Sequence, residues 1–160
     1  MDEPGAEREL DDPTAVGPVE EPESLAAFRV VHAESVSFEL GDASPHVHLM
    51  EADAPYRNLS VPIALAEAQA LHGALHGVAG RRPGTHELAS EVIARLRADI
   101  IAARIVRIES GVYVAELDLM TPQGREVFDC RTSDAIILAL RQSVPAPILC
   151  ADEVLASAYD

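Results

Sequence analysis

Segments of period two and period 3.6 follow one another here in an order that few folds can hold. Three short alternating runs and two helical runs come first, then three more alternating runs, a helix, a short strand and a closing helix. Val36, Phe38 and Leu40 alternate with Ser35, Ser37 and Glu39, which predicts a strand with one wet face from about Phe28 to a turn at Gly41-Asp42. Strands are predicted over 46–52 and, after the Pro55 turn, 58–63. IALAEAQALHGALHGVA then reads as a helix with Leu71, Leu75 and Val78 inward, ended by Gly80. RRPG is a loop, and Thr85 is expected to N-cap a helix to Arg97 that turns Leu88, Val92, Ile93 and Leu96 inward and pairs Glu91 with Arg95 outside. The second trio of strands falls near 101–108, 112–120 and 125–131, with turns at Ser110-Gly111 and Pro122-Gln123-Gly124. Tyr113, Ala115, Leu117 and Leu119 share one face of the middle strand. An apolar helix to Gln142, the short strand PILC and a helix from Asp152 complete the chain.

This order predicts an α+β domain of duplicated β-β-β-α units, a mostly antiparallel curved sheet with apolar helices packed against it. Laying Glu67-Ala68-Gln69-Ala70-Leu71 over Asp134-Ala135-Ile136-Ile137-Leu138 puts an acid, an alanine and a leucine in register at the start of the helix after each third strand. Edge strands in such a sheet need cover, which favours a homodimer.

Charge divides the chain. Residues 1–25 hold nine acids against Arg8, so the net of −15 leaves −7 for residues 26–160. With Pro4, Pro13, Pro18 and Pro22 among those acids, residues 1–25 read as a disordered acidic tail ahead of a domain over 26–160. The acidic balance argues against the broad basic surface of most nucleic-acid binders. All 12 basic residues are Arg, whose planar forks suit phosphate or carboxylate, although codon bias in a GC-rich genome accounts for the choice. No run of about 18 apolar residues and no signal-peptide pattern occurs, so a cytoplasmic protein with no membrane association is expected. Cys130 and Cys150 are then expected as reduced, buried thiols.

IALAEAQALHGALHG, RRPGTHELASEVIARL, DCRTSDAIILALR and PILCADEVL, in that order, resemble the blocks of the bifunctional nuclease domain family. Those blocks are an Ile-Gly-x-x-Glu-Ala helix start, Arg-Pro-x-Thr-His-Asp/Glu-Leu, and Arg-Pro-Ser-Asp-Ala-Ile before an Ala/Leu helix. The resemblance covers about residues 27–157. Where the family usually has Trp-Ile-Gly the chain has Val61-Pro62-Ile63-Ala64, and Thr132 replaces the Pro of Arg-Pro-Ser-Asp, so an aromatic that stacks on a base is missing. The resemblance implies a nuclease hydrolysing phosphodiester bonds in DNA and RNA, with single-stranded nucleic acid as partner.

Such hydrolysis needs a base for water and positive charge for the phosphorane-like transition state, commonly Mg²⁺ or Mn²⁺ held by carboxylates. Under that reading His86, Glu67, Glu87 and Asp134 are the catalytic candidates. Glu67, Asp129 and Asp134 are the metal candidates, and Arg131, Ser133 and Thr85 the substrate contacts. The same residues have plain structural uses: Ser133 or Thr132 as an N-cap, Glu67 and Asp134 as first-turn acids, Asp129 and Arg131 as a pair. A cap explains Thr85 but requires no His86 after it. The pairs His72/His76 and His46/His48 have ligand spacing but no third ligand in the sequence pattern, and read as ordinary histidines. The competing function is a non-catalytic module that uses the fold to bind a partner protein or small ligand.

Overall fold

Alternation sets the strands and turn residues set their ends. The computed structural model describes residues 27–38, 41 and 43–158. The first meander comprises β1 (Phe28–Ser37), β2 (His46–Glu51) and β3 (Asn58–Pro62), followed by helices α1 (Leu65–Leu75) and α2 (Thr85–Arg95). The second comprises β4 (Asp99–Glu109), β5 (Val112–Thr121) and β6 (Gly124–Arg131), followed by α3 (Thr132–Leu140), β7 (Ile148–Ala151) and α4 (Asp152–Ser157). One seven-stranded sheet results, in the order β3-β2-β1-β7-β4-β5-β6, antiparallel throughout except where β7 runs parallel to β4. Mixed α+β architecture and a mostly antiparallel sheet are therefore as expected. The 1–25 tail, Glu39, Leu40 and Asp42 lie outside the described residues.

The sheet curls. A hollow of about 290 Å³ is lined both by Val61, Pro62 and Ile63 and by Gly111, Val112 and Tyr113. In the sheet order β3 and β5 are five places apart, roughly 24 Å in a flat sheet at about 4.8 Å per strand. Both can line one hollow only if the sheet bends round, and register shifts in β1 and β4 help it do so. The hairpin between β4 and β5 closes on Ser110 and Gly111, both at positive φ, as a two-residue turn of this hand requires.

α3 explains its own composition. It lies between the sheet at β4 and β5 and the helices α1 and α2, so it has no wet side. Ala135, Ile136, Ile137 and Ala139 are fully buried, and each large aliphatic side chain there contributes roughly 1.5–3 kcal/mol. Among the described residues no helix is long and apolar enough to cross a membrane. Cys130 is half-buried and Cys150 buried, both free, and burial pushes their thiols up to about 11 and about 12, so neither is a ready nucleophile.

Several boundaries move for identifiable reasons. α1 stops at Leu75, not at Gly80, because Gly77 adopts a left-handed φ of 64°. Its neighbour Val78 then donates to the Gly73 carbonyl at 2.8 Å, a Schellman closure that leaves the Val78 side chain exposed outside the helix. β1 ends at Ser37, and Phe38, expected on the inner face, is 62% exposed. α2 is capped from Gly84, with Thr85 its first residue, and it ends at Arg95 with Arg97 left-handed. α2 buries no residue: Leu88, Val92 and Leu96 face outward, and only Ala89 and Ile93 reach the core, because α2 rests on α3 and not on the sheet. The Glu91–Arg95 pair forms at 2.6 Å. α3 is capped from Arg131, so neither Thr132 nor Ser133 is its N-cap; the Thr132 hydroxyl instead donates to the Tyr113 carbonyl at 3.1 Å.

Glu51, 1% exposed, fastens the far side of the first meander. Its carboxylate accepts from Arg57 Nε at 3.0 Å, Arg57 N–H at 3.2 Å and Arg29 Nε at 2.5 Å, and Arg57 reaches on to Asp152 at the start of α4 at 2.7 Å. The Arg57 guanidinium, opposed by burial and aided by Arg57 N–H and Arg29, holds the Glu51 carboxyl down at about 2 against an ordinary 4.5. The folded protein keeps this group ionised where the unfolded chain takes up a proton. Its contribution is thus present above about 4.5 and is lost as pH falls toward about 2. Glu51→Gln is expected to cost about 3 kcal/mol in urea unfolding at neutral pH. The gap from wild type should narrow as the pH is lowered through that window.

Candidate active site

Two acids open two helices at the same place. Glu67 is the third residue of α1 and Asp134 the third of α3, each in a first turn where the helix dipole favours negative charge. Arg131, the last residue of β6, reaches both. Its Nη1 donates to Glu67 Oε1 at 2.7 Å, its Nε to Asp134 Oδ2 at 2.7 Å and its Nη2 to Asp134 Oδ1 at 3.1 Å. Three of its five N–H donors are thereby used, and the exposed face of the guanidinium keeps two.

His86 joins from α2, its Nε2 lying 2.8 Å from Asp134 Oδ1. Burial pushes the Asp134 carboxyl up, but hydrogen bonds and charge from Arg131 and His86 outweigh it and leave the group below its ordinary value. Asp134 is therefore an ionised acceptor, so the shared proton sits on His86 Nε2, and in the neutral ring Nδ1 carries a free lone pair. Glu87 does something else. One oxygen accepts from the Gly84 N–H at 2.7 Å, the reciprocal half of a capping box, and the other meets Arg141 Nη2 at 3.1 Å.

These groups line one cleft of about 870 Å³ between α1, α2 and α3. Thr85, His86, Glu87, Glu67, Arg131 and Asp134 all border it. Ser133 does not; it is buried beside the smaller hollow next to Tyr113. Asp129 is exposed on β6, in a shallow hollow with Arg107 and Glu109, so it neither pairs with Arg131 as expected nor joins Glu67 and Asp134. Two cleft residues escape the sequence reading, Arg82 and Arg141. Arg141 follows Asp134 by seven positions on the α3 face that also carries Leu138, a spacing that marks it in retrospect.

The donor set does not make a carboxylate cage. Among the described residues no three His, Cys, Asp or Glu side chains converge as metal ligands, and a guanidinium stands between Glu67 and Asp134 where a cation would sit. Nor do the histidine pairs supply one. His76 Nδ1 bonds the His72 carbonyl at 2.9 Å, and His48 lies between Ser37 and Ser60 at 2.5 and 3.3 Å.

The sheet and this cleft define an α+β protein in which acid, base and arginine meet in one cleft bordered by α1, α2 and α3. The sequence model described as the bifunctional nuclease domain matches residues 47–159, and the chain belongs to that family. It is 34% identical over 128 residues, 80% of this chain and 74% of theirs, to the uncharacterized proteins MT1877 and Rv1829 of Mycobacterium tuberculosis, from strains CDC 1551 and H37Rv.

Gly84 is the residue on which the α2 mouth turns, since a Cβ there would stand 2.6 Å from Glu87 Oε2. Gly84→Ala is expected to expel that carboxylate from the cap at a cost of about 1 kcal/mol. Hydrogen exchange should then speed up in the first turn of α2 while the β4–β5 ladder is unaffected.

Proposed function

We propose that the protein is a nuclease that hydrolyses phosphodiester bonds at the His86–Asp134–Arg131 cluster. The observation that carries this reading is the 2.8 Å His86–Asp134 contact beside an arginine with two uncommitted donors, in a cleft of a chain from this family. His86 Nδ1 takes the proton of the attacking water as its oxygen bonds to phosphorus, Asp134 holds the ring and balances the imidazolium that forms, and the free Arg131 donors meet charge on the phosphoryl oxygens. The P–O bond to the departing oxygen breaks as the imidazolium returns its proton to that oxygen. Glu67 positions Arg131, and Glu87 positions His86 by fixing the turn ahead of it. Thr85, at the cleft wall, is a substrate contact.

Single-stranded DNA or RNA is the substrate class we assign, because an acidic body offers no broad surface for a duplex backbone. The equivalent placement of Glu67 and Asp134 supports reading the two β-β-β-α units as copies of one unit. We also assign a homodimer, since β6 leaves an open edge of eight residues with Val127 and Phe128 exposed; sedimentation at two concentrations reports it.

Labelled single-stranded RNA and DNA incubated with EDTA, Mg²⁺ or Mn²⁺ test the activity. Cleavage by wild type with a loss of roughly 10²-fold or more in His86→Ala is expected. Turnover that appears only with metal would mean that a cation displaces Arg131 from the two acids. Equal, negligible cleavage by both proteins under every condition leaves the fold as a binding module for a protein or small ligand.

A further inference from the structure

The cleft runs well beyond the His86–Asp134 pair. Its α1 wall extends from Glu67 through Ala70 and Gly73, and past the helix end to Gly80 and Arg82. From Glu67 to the last residue of α1 is roughly 12 Å of helix axis at about 1.5 Å per residue. A stacked single strand carries a phosphate about every 3.4 Å, so that wall alone is long enough for several.

Three arginines line it, in two states of engagement. Arg131 is bound to Glu67 and Asp134, and Arg141 to Glu87. Arg82 lines the same cleft, is exposed, and makes no ion pair among the described residues. The loop that carries it turns tightly at Gly80, where a Cβ would meet the Arg82 carbonyl at 3.1 Å, and Gly84, two residues past Arg82, is tied by Glu87. Arg82 is thus a planar cation with a full set of donors, on the cleft wall that continues past the end of α1.

We propose that Arg82 is a second phosphate contact that selects oligonucleotides over phosphodiesters with a single phosphate. The inference rests on the nuclease reading of this cleft and adds to it a minimum substrate length. One end of the chain is cleaved against Arg131 while a neighbouring phosphate is held by Arg82, and the engaged Arg141 stays with Glu87.

The test compares a labelled single-stranded oligonucleotide of about a dozen residues with bis(p-nitrophenyl) phosphate, for wild type, Arg82→Ala and Arg82→Lys. Arg82→Ala is expected to lower the ratio of kcat/KM values, oligonucleotide over small diester, roughly fivefold to tenfold, and to reduce the slope of log KM against log salt by about one. Arg82→Lys should restore the slope. An unchanged ratio, from equal losses on both substrates or from none, overturns the proposal while leaving hydrolysis intact. Should wild type hydrolyse neither compound, the nuclease reading fails separately, and fluorescence anisotropy with the same oligonucleotide decides: a fivefold to tenfold weaker complex for Arg82→Ala keeps the contact, and equal affinity or no binding removes it.

Discussion

The ion bridge from Arg131 to Glu67 and Asp134 joins the two ends of the molecule. Arg131 closes β6, the last strand at one edge of the sheet, and Glu67 opens the helix that leaves β3, the strand at the other edge. Arg131 is largely exposed but Glu67 is buried, so the bridge offsets the desolvation of a carboxylate more than it adds net stability. What it fixes is position. Two carboxylates, each already favoured by a helix N-terminus, would repel one another across the gap without a cation between them. Arg131 supplies that cation in the planar form that satisfies both, and the oxygen of Asp134 that faces α2 then receives His86. That order of commitments sets which ring nitrogen of His86 meets the carboxylate.

Electrostatically the cleft differs from the surface around it. Residues 26–160 carry −7, yet Glu67, Glu87 and Asp134 in the cleft are matched by Arg82, Arg131 and Arg141. The cleft is thus close to neutral within an acidic body, and its charge differs from that of the chain as a whole. Net charge is therefore a poor guide to what the cleft admits, and the overall acidity that argues against nucleic acid in the sequence loses force once the charges are placed.

What the sequence reveals depends on which physics is local. Strand alternation and turn residues are local, so the two meanders, the Ser110-Gly111 turn and the Tyr113–Leu119 face can all be read from it. The Thr85-His86 step and the first-turn acids are also legible, and they do meet in one cleft. Helix ends are decided by competition among neighbouring glycines, which is why Gly77 and not Gly80 closes α1. The outward stripe of α2 is not local at all: periodicity shows which residues share a face, not which face meets the core, and α2 happens to lie on another helix at the margin. Asp129 fails for a related reason, since sharing a strand face with Arg131 says nothing of where the arginine's long side chain goes. The buried clasp at Glu51 gave no pattern to read, its partners being 6, 22 and, through Arg57, 95 residues away.

α3 is at once the most enclosed element and the one that carries Asp134 at its first turn and Arg141 just past its last. A close-packed helix of this sort cannot shift by a fraction of an ångström at one end and stay put at the other. Substitution at Ile136 or Ile137 would accordingly register at the cleft as a changed reach from Asp134 to His86, so the geometry of the polar cluster can be adjusted from beneath without touching a polar side chain.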